Sequence, residues 1–310
     1  MFEFEEFIGI DWSGSQDYAR GSDGEFPIQI ATCDSESGQL TLHQPNAVHN
    51  PNWQENRWSR STTFNWLADR LQMKQRNSKP SLIGFDFALS FPFADIGAYF
   101  PAEETPTESW RSLLALLRKR TGNDFDPNPF IAHDFYSRFF LLQGSRGAEY
   151  SPRHRITEQT EFLRNQNPAN IFKLIGGDQV GRGSISGLAM IQDFRERFGT
   201  DVHVWPFDGV APSVKAKAIF VEIWPRMLYE MVGVPASSHR YPLVFQLAMQ
   251  LCRVGNVNAL APPGGENSGD ALLTAAALRH FHKDASIWNA PQHLALNFFS
   301  REGWIWGAQE

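Results

Sequence analysis

The first third of the chain alternates short apolar runs with turn-forming residues, a pattern typical of β-strands joined by turns. Three such runs occupy residues 6–11, 26–34 and 38–44. The last two are separated by Asp-Ser-Glu-Ser-Gly, which favours a turn. Together the three runs predict an antiparallel meander. Apolar residues then recur with a helical period over 59–77, where Ser and Thr residues are available to cap the helix.

A second strand that ends in an aspartate follows this helix. The segment Ile-Gly-Phe-Asp at 83–86 repeats the pattern of Ile-Gly-Ile-Asp at 8–11. Aspartate is disfavoured inside strands, because it competes for backbone hydrogen bonds and loses hydration when it is buried. Two strands that each end in this way, at Asp11 and Asp86, therefore indicate a functional edge of the sheet.

The strand pattern is interrupted over residues 95–200. Amphipathic helices are predicted there over 106–122 and 188–199, and the remainder is polar or glycine-rich. We interpret this region as a mainly helical insertion that packs over the sheet. Two strands, two buried helices and a final extended segment are predicted after it, at 201–207, 217–225, 243–255, 268–284 and 302–307.

Two further acids occupy similar places in the predicted architecture. Glu222 lies near the end of the strand at 217–225, and Asp270 lies at the start of the last helix. The carboxyl ends of parallel strands meet at one edge of a sheet, where ligands usually bind. Carboxylates gathered there repel one another unless a cation neutralises them, and Mg²⁺ or Mn²⁺ prefers such oxygen ligands. Two of these ions about 4 Å apart would suit phosphoryl transfer.

The order of the predicted elements is that of the ribonuclease H fold, an α/β architecture with a mixed five-stranded sheet flanked by helices. The chain also resembles a domain-of-unknown-function family of predicted RNase H-like nucleases. The resemblance is carried by six motifs, IGIDWSG, IGFDFALSFP, FKLIGGDQVGRGSISGL, VEIWPR, GDALLTAAAL and EGWIWG. Since these motifs are spread over nearly the whole chain, we expect one RNase H-like domain over 1–310 that contains the insertion at 95–200.

The resemblance implies a metal-dependent nuclease that hydrolyses phosphodiester bonds of a nucleic acid or a nucleotide. Its catalytic, metal-binding acids would be Asp11, Asp86, Glu222 and Asp270, and its cofactor would be Mg²⁺ or Mn²⁺. Water activated by one ion would attack phosphorus, while a second ion would stabilise the leaving oxygen.

Each of these acids also has a structural interpretation. Asp11 and Asp86 belong to a residue type that forms turns by accepting hydrogen bonds from the amides that follow it. Glu222 can pair with Arg226 or with another base. Asp270 stands where an N-cap or a first-turn acid belongs. The sequence leaves both interpretations open for each acid.

Three arginines are candidate contacts for a substrate phosphate. Arg182 lies in the glycine-rich segment 175–187, which fails the phosphate-loop pattern because Arg-Gly replaces Lys followed by Ser or Thr. We interpret that segment as a turn that opens a helix, with Arg182 directed at the site. Arg155 belongs to a local basic patch, and Arg226 follows Glu222 closely. A solvated surface position is the alternative for Arg182 and Arg155.

Composition narrows the choice of partners and compartment. A net charge of −6 at pH 7 disfavours a protein that coats nucleic acid through bulk electrostatics, although it allows an enzyme that meets nucleic acid through bound cations. Two cysteines in no metal-ligand spacing fit a reducing compartment. An acidic N-terminus and the lack of a long apolar run predict a cytoplasmic protein without a membrane span.

Two other classes of function are consistent with the same pattern. The actin and sugar-kinase fold shares this sheet topology, and its first phosphate loop follows a strand-Asp-Gly-Ser pattern similar to residues 9–15, so ATP-dependent phosphotransfer is the second hypothesis. Against it, the sequence shows no second copy of the meander and no adenosine-type glycine motif. A catalytically silent binding module that keeps the acids for structural reasons is the third hypothesis.

Overall fold

A computed structural model gives the structure of most of the chain. The residues that it describes are 3–12, 27–45, 57–75, 78–122, 124–175, 180–211, 215–234, 242–254, 265–288 and 296–309. The strands among them are β1 (Glu6–Asp11), β2 (Gln29–Asp34), β3 (Leu40–His43), β4 (Ser81–Phe85), β5 (Leu141–Leu142), β6 (Ser145–Arg146), β7 (Val202–Val204) and β8 (Ala218–Glu222).

Six of these strands form one mixed sheet in the order β3-β2-β1-β4-β8-β7, while β5 and β6 form a separate hairpin. β1 pairs antiparallel with β2, and β2 with β3. β1 pairs parallel with β4, β4 with β8, and β8 with β7. The predicted meander and the return of a fourth strand beside the first are therefore confirmed. The sheet has six strands rather than the predicted five, because β7 adds an edge strand beside β8.

Helices flank the sheet on both faces. The α-helices are α1 (Arg60–Met73), α2 (Trp110–Thr121), α3 (Asn128–Ile131), α4 (Glu161–Asn165), α5 (Val180–Phe198), α6 (Pro225–Met231), α7 (Pro242–Leu251), α8 (Glu266–Phe281) and α9 (Leu296–Glu302). Short 3-10 helices cover Tyr136–Phe139, Thr157–Gln159, Gly199–Asp201 and Ala285–Trp288. The predicted insertion, 95–200, contains α2 to α5 and the hairpin. None of the helices in the described segments is long and apolar enough to cross a membrane.

One face of the sheet is covered by α1, α2 and α5, and its core is rich in aromatic side chains. Ile10 of β1 and Phe85 of β4 are buried in this layer with Leu67 of α1, Leu114 of α2 and Leu188 of α5. Ser59 caps α1, because its side chain accepts a hydrogen bond from a backbone N–H in the first turn. The cap predicted from the sequence is thus confirmed. Since α5 contributes to this core, the end of the predicted insertion packs directly on the sheet.

The other face is covered by α8, which approaches the sheet closely. Gly9 of β1 and Gly84 of β4 lie opposite each other in the register. A Cβ atom on Gly9 would lie 2.2 Å from the carbonyl oxygen of Ala271, so only glycine lets the strand and the helix meet here. Farther along α8, the ring of His282 lies 4.8 Å from that of Phe7. The helix therefore runs from the carboxyl edge of β1 towards its amino edge.

The end of the chain packs against β8. Ile305 forms a single parallel bridge with Glu222, and the backbone N–H of Trp306 donates to the carbonyl oxygen of Glu222 at 2.8 Å. The extended segment predicted at 302–307 is thus present as one bridge and not as a strand. It lies beside the residue that ends β8.

Candidate active site

Asp11 and Asp86 come together at the carboxyl edge of the two central parallel strands. Ile10 of β1 lies opposite Phe85 of β4, and the two aspartates occupy the next position of each strand. The backbone N–H of Asp86 donates to the carbonyl oxygen of Ile10 at 3.0 Å, which extends the strand pairing by one bond. The prediction that these aspartates end neighbouring strands of one mixed sheet is therefore confirmed.

The alternation of side chains places these two aspartates on the α8 face. Residues two positions apart in a strand face the same side of the sheet, so Asp11 shares a side with Gly9, and Asp86 shares a side with Gly84. Both glycines face α8. Glu222 lies opposite Phe85 and therefore belongs to the other face of the sheet. The first two predicted ligands thus share a face at the sheet edge, whereas the third is on the opposite side of it.

The surroundings of Asp86 disfavour its negative charge. Burial raises the pKa of Asp86 to about 7, and the charges of Glu222 and Glu266 add to this effect. Asp86 itself is half-buried, whereas Asp11 at the end of the neighbouring strand is buried, with 8% of its surface exposed. A carboxyl group in such a place gains from a nearby cation, because the cation offsets both the lost hydration and the repulsion between the acids.

Glu222 is held by a buried ion pair with Arg155. The Nη1 and Nη2 atoms of the arginine lie 2.6 Å and 2.5 Å from the two carboxylate oxygens of Glu222. The oxygen that contacts Nη1 also accepts the backbone N–H of Leu89 at 2.8 Å. Burial raises the pKa of Glu222, and the guanidinium and this N–H act in the opposite direction. The structural interpretation of Glu222 as the partner of a base is therefore confirmed, and the base is Arg155.

Arg155 itself is enclosed by acids. Its Nε and Nη2 atoms donate to Glu158 at 2.9 Å and 2.8 Å, and its side chain is 1% exposed. The guanidinium therefore faces Glu158 and Glu222 instead of solvent. This placement does not support a contact between Arg155 and a substrate phosphate, because a buried, fully engaged guanidinium offers no donor at the surface.

The fourth predicted ligand, Asp270, lies in the second turn of α8. The N-cap is Gly265 and the helix begins at Glu266, so Asp270 is neither an N-cap nor a first-turn residue. The capping interpretation of Asp270 is therefore wrong.

Glu266 is the first-turn acid, and its charge raises the pKa of Asp86. It is a site residue that the sequence analysis missed, because the helix starts two residues earlier than predicted. Burial is the main cause that raises the pKa of Tyr229, and the charges of Asp270 and Glu266 raise it further.

The start of α5 lies beside the residues that follow both aspartates. The indole Nε1–H of Trp12 donates to the carbonyl oxygen of Gly183 at 3.1 Å and to Ser186 Oγ at 3.0 Å. Ser184 Oγ accepts the backbone N–H of Ala88 at 3.1 Å. The helix begins at Val180, eight residues before the predicted start at 188. Part of the glycine-rich segment is thus helical, while 176–179 lie outside the described residues.

The two other predicted phosphate contacts differ in their surroundings. Arg182 donates from Nη1 to Asn128 Oδ1 at 2.8 Å, and burial lowers its pKa. Its side chain therefore lies against α3. Arg226 is an exposed residue in the first turn of α6, four residues after the end of β8. Both arginines lie near the carboxyl edge of the sheet by their place in the chain, since the start of α5 contacts Trp12 and α6 follows the end of β8.

The donor chemistry fits a hard divalent cation in part. Asp11 and Asp86 place carboxyl groups at the ends of neighbouring strands, and Glu266 belongs to the same electrostatic neighbourhood as Asp86. Glu222 does not fit, since both its oxygens are engaged by Arg155. Within the described segments, no group of three or more His, Cys, Asp and Glu residues is arranged to hold a metal ion. The four predicted ligands are therefore not gathered into one site among these residues.

Comparison with known proteins adds no functional label. No protein-family model, no curated protein and no solved structure matches this chain. The resemblance to predicted RNase H-like nucleases therefore stays a prediction, and the functional argument depends on the geometry at the ends of β1, β4 and β8.

Proposed function

We propose that this protein is a metal-dependent phosphodiester hydrolase, a nuclease of the RNase H-like type, in which Asp11 and Asp86 hold Mg²⁺ or Mn²⁺. The observation that carries the proposal is the pair of aspartates. They lie at the ends of neighbouring parallel strands at the same register position, at the carboxyl edge of the sheet, and one of them has a pKa near neutrality. The strand order from β3 to β8 supports the RNase H-like assignment, with β7 as an addition at the edge.

In this proposal the residues of the site have different roles. A divalent cation supplies an activated water and stabilises negative charge on phosphate oxygens when it is bound. Asp11 and Asp86 would provide oxygen ligands for it, and Asp86 would have to release its proton to solvent in order to serve as a carboxylate ligand. Glu266 and Asp270 on α8 add negative potential that attracts the cation. Glu222, held by Arg155, keeps the backbone around the site in place. Arg182 and Arg226 contact phosphates of a nucleic acid or nucleotide.

A binding module without catalysis is the second candidate, and one observation favours it. Glu222, one of the four predicted ligands, serves a structural ion pair. If Asp11 and Asp86 are structural as well, their replacement would destabilise the protein and would leave any response to metal unchanged. The proposal and this alternative therefore predict opposite results in one experiment.

The experiment compares Asp11→Asn and Asp86→Asn with the wild type and with Asp134→Asn. Asp134 is an exposed acid outside the site, so it controls for the loss of one negative charge. Thermal unfolding is recorded in EDTA and in millimolar Mn²⁺, and cleavage of labelled single-stranded DNA and RNA is measured in parallel. We expect Mn²⁺ to stabilise the wild type and Asp134→Asn, because it binds the native state, and to stabilise the two site variants far less.

Cleavage should be lost in both site variants and retained in Asp134→Asn. Equal stabilisation of all four proteins by Mn²⁺ would contradict the proposal and favour the silent module. Stabilisation by ATP with no cleavage of either oligonucleotide would favour the phosphotransferase hypothesis instead.

A further inference from the structure

We propose that Arg155 is a positioning residue for the candidate site: through Glu222 it fixes the backbone segment that carries Asp86. The inference rests on the proposed function, because a use for this positioning requires that Asp86 bind the cation. It differs from a substrate contact, since the guanidinium is buried and meets only protein groups.

The backbone after β4 is held at three of its four amides. The N–H of Asp86 donates to Ile10, the N–H of Ala88 donates to Ser184 Oγ, and the N–H of Leu89 donates to Glu222. The first bond ties the segment to β1 and the second ties it to α5. The third is a bond to a carboxylate, which is stronger than a bond between neutral groups. The position of Asp86 therefore depends on where the carboxylate of Glu222 is.

Arg155 determines that position. Its guanidinium binds both oxygens of Glu222 in a two-point contact, which fixes the plane of the carboxylate as well as its place. The Nε edge of the guanidinium is held by Glu158, which also accepts the backbone N–H of Arg155 at 2.9 Å. Without Arg155, Glu222 would be a buried carboxylate with no cationic partner. Such a group takes up a proton or turns towards water.

The same arginine links this segment to the end of the chain. Glu302 accepts the backbone N–H groups of Phe93, Ala94 and Ile156 at 2.5 to 2.7 Å. Its carbonyl oxygen lies 3.4 Å from Nη1 of Arg155. The backbone beyond Leu89 and the backbone next to Arg155 are thus joined to one acid. The arrangement resists local movement, so a change at residue 155 should be felt first at residues 86–89.

A similar ion pair at the β7 edge of the sheet serves as the control. Arg195 of α5 pairs with Asp208, with Nη1 and Oδ2 2.5 Å apart. The same Oδ2 atom accepts the backbone N–H of Val204 at 2.9 Å. This pair is similar to that of Arg155 and Glu222, because an arginine contacts a carboxylate that also accepts a backbone N–H, although Arg111 contacts Asp208 as well, with Nη2 2.9 Å from Oδ1. It anchors β7 instead of the segment that carries Asp86.

The test compares Arg155→Met, Arg155→Lys and Arg195→Met in the full chain, with urea added so that all proteins have equal melting temperatures. Hydrogen exchange of residues 86–89 is measured in EDTA, and the shift in melting temperature is measured on addition of Mn²⁺. We expect Arg155→Met to speed exchange at Leu89 at least about tenfold and to reduce the Mn²⁺ shift by more than half. Arg155→Lys should lie between it and the wild type, because lysine keeps the charge without the two-point contact.

Arg195→Met should leave both readouts at residues 86–89 unchanged and should speed exchange at Val204 instead. If both arginine-to-methionine variants behave alike at equal melting temperature, Arg155 only stabilises the fold and the inference is wrong. If Arg155→Met does not fold, the same comparison with Arg155→Lys decides. A wild type with no response to Mn²⁺ would refute the proposed function, while faster exchange at Leu89 in the Arg155 variants would still support positioning of Asp86 by Arg155.

Discussion

The two faces of the sheet are built in different ways. On the α8 face, strand and helix approach closely: a Cβ atom on Gly9 would lie 2.2 Å from the carbonyl oxygen of Ala271, 2.7 Å from the Cβ atom of Thr274 and 2.8 Å from the backbone nitrogen of Ala275. On the α5 face, large side chains separate the layers, and Phe85 and Phe220 meet with ring centroids 5.1 Å apart. A helix whose backbone contacts a strand directly is held at a fixed distance from the sheet. Aromatic rings between a helix and a sheet can shift, so the distance between those two layers can change.

This difference explains how the candidate site is placed. The close contact at Gly9 fixes the start of α8, and with it Glu266, near the aspartates. On the other face, hydrogen bonds do the same work, since Trp12 and Ser184 join the start of α5 to the residues after the two aspartates. One face positions its acids by contact of backbones, and the other positions its helix through specific donors and acceptors.

The largest difference between the two faces should appear when one methyl group is added to each of them and the losses in the free energy of unfolding are compared. Gly9→Ala places a Cβ atom 2.2 Å from a backbone oxygen, so α8 must move, and we expect a loss of about 3 kcal/mol or more in the free energy of unfolding. Gly187→Ala on α5 places a Cβ atom 2.3 Å from the ring of Phe87, which can shift. Alanine also favours the helix by about 1 kcal/mol, so the net loss should be about 1 kcal/mol. Urea unfolding measures both values.

The comparison of the two glycines also tests the site. Gly9→Ala should weaken the stabilisation by Mn²⁺ along with the fold, because Glu266 moves with α8. Equal losses of stability in the two variants would show that the α8 face can adjust as the aromatic face does, which would break the contrast between them.

A middle-sized effect should come from the charge of Asp86 on the α8 face. Its pKa is raised to about 7 in the folded protein, so between about pH 4 and pH 7 the native state binds more protons than the unfolded state. The free energy of unfolding therefore falls as the pH rises through this interval, by up to about 1.4 kcal/mol for each pH unit. In EDTA, Asp86→Asn should remove this fall and be more stable than the wild type at pH 8 by about 2 kcal/mol.

Urea unfolding at pH 5 and at pH 8 measures this effect, with Asp134→Asn as the control. The control should follow the wild type at both pH values. If the free energy of unfolding changes with pH equally in the wild type and in Asp86→Asn, folding does not raise the pKa of Asp86. The main electrostatic argument for a bound cation is then lost.

The sequence predicted the sheet edge well because its signal is local. An apolar run that ends in aspartate appears twice, and these two segments became the neighbouring ends of β1 and β4. The meander was predictable for the same reason, since short runs and turn residues follow one another in the chain. The five-stranded expectation from the fold left no place for β7, although the apolar pattern predicts a strand at 201–207, where β7 is found.

The partner of Glu222 was not predictable, because it is 67 residues away along the chain. Local spacing suggested Arg226, whereas the tertiary fold buries Arg155 against the carboxylate. The start of α8 was missed for another reason. The helix was predicted to begin at residue 268, whereas it begins at Glu266 and includes the buried Gly269 in its first turns. A buried glycine can be tolerated within a helix when packing compensates its low propensity.

The smallest effect should come from the indole of Trp12, which joins β1 to α5 on the adjustable face. Trp12→Phe removes one donor to Gly183 and Ser186, while the serine Oγ still donates to the same carbonyl at 2.9 Å, so the loss should be about 1 kcal/mol. Trp58→Phe is the matched control, because its indole also donates to a carbonyl oxygen, that of His43, in the same core. Urea unfolding should give similar losses for both, but only Trp12→Phe should reduce the shift in melting temperature caused by Mn²⁺. A reduction of equal size in Trp58→Phe would mean that the shift follows global stability, and the link between the start of α5 and the aspartates would have no role in the site.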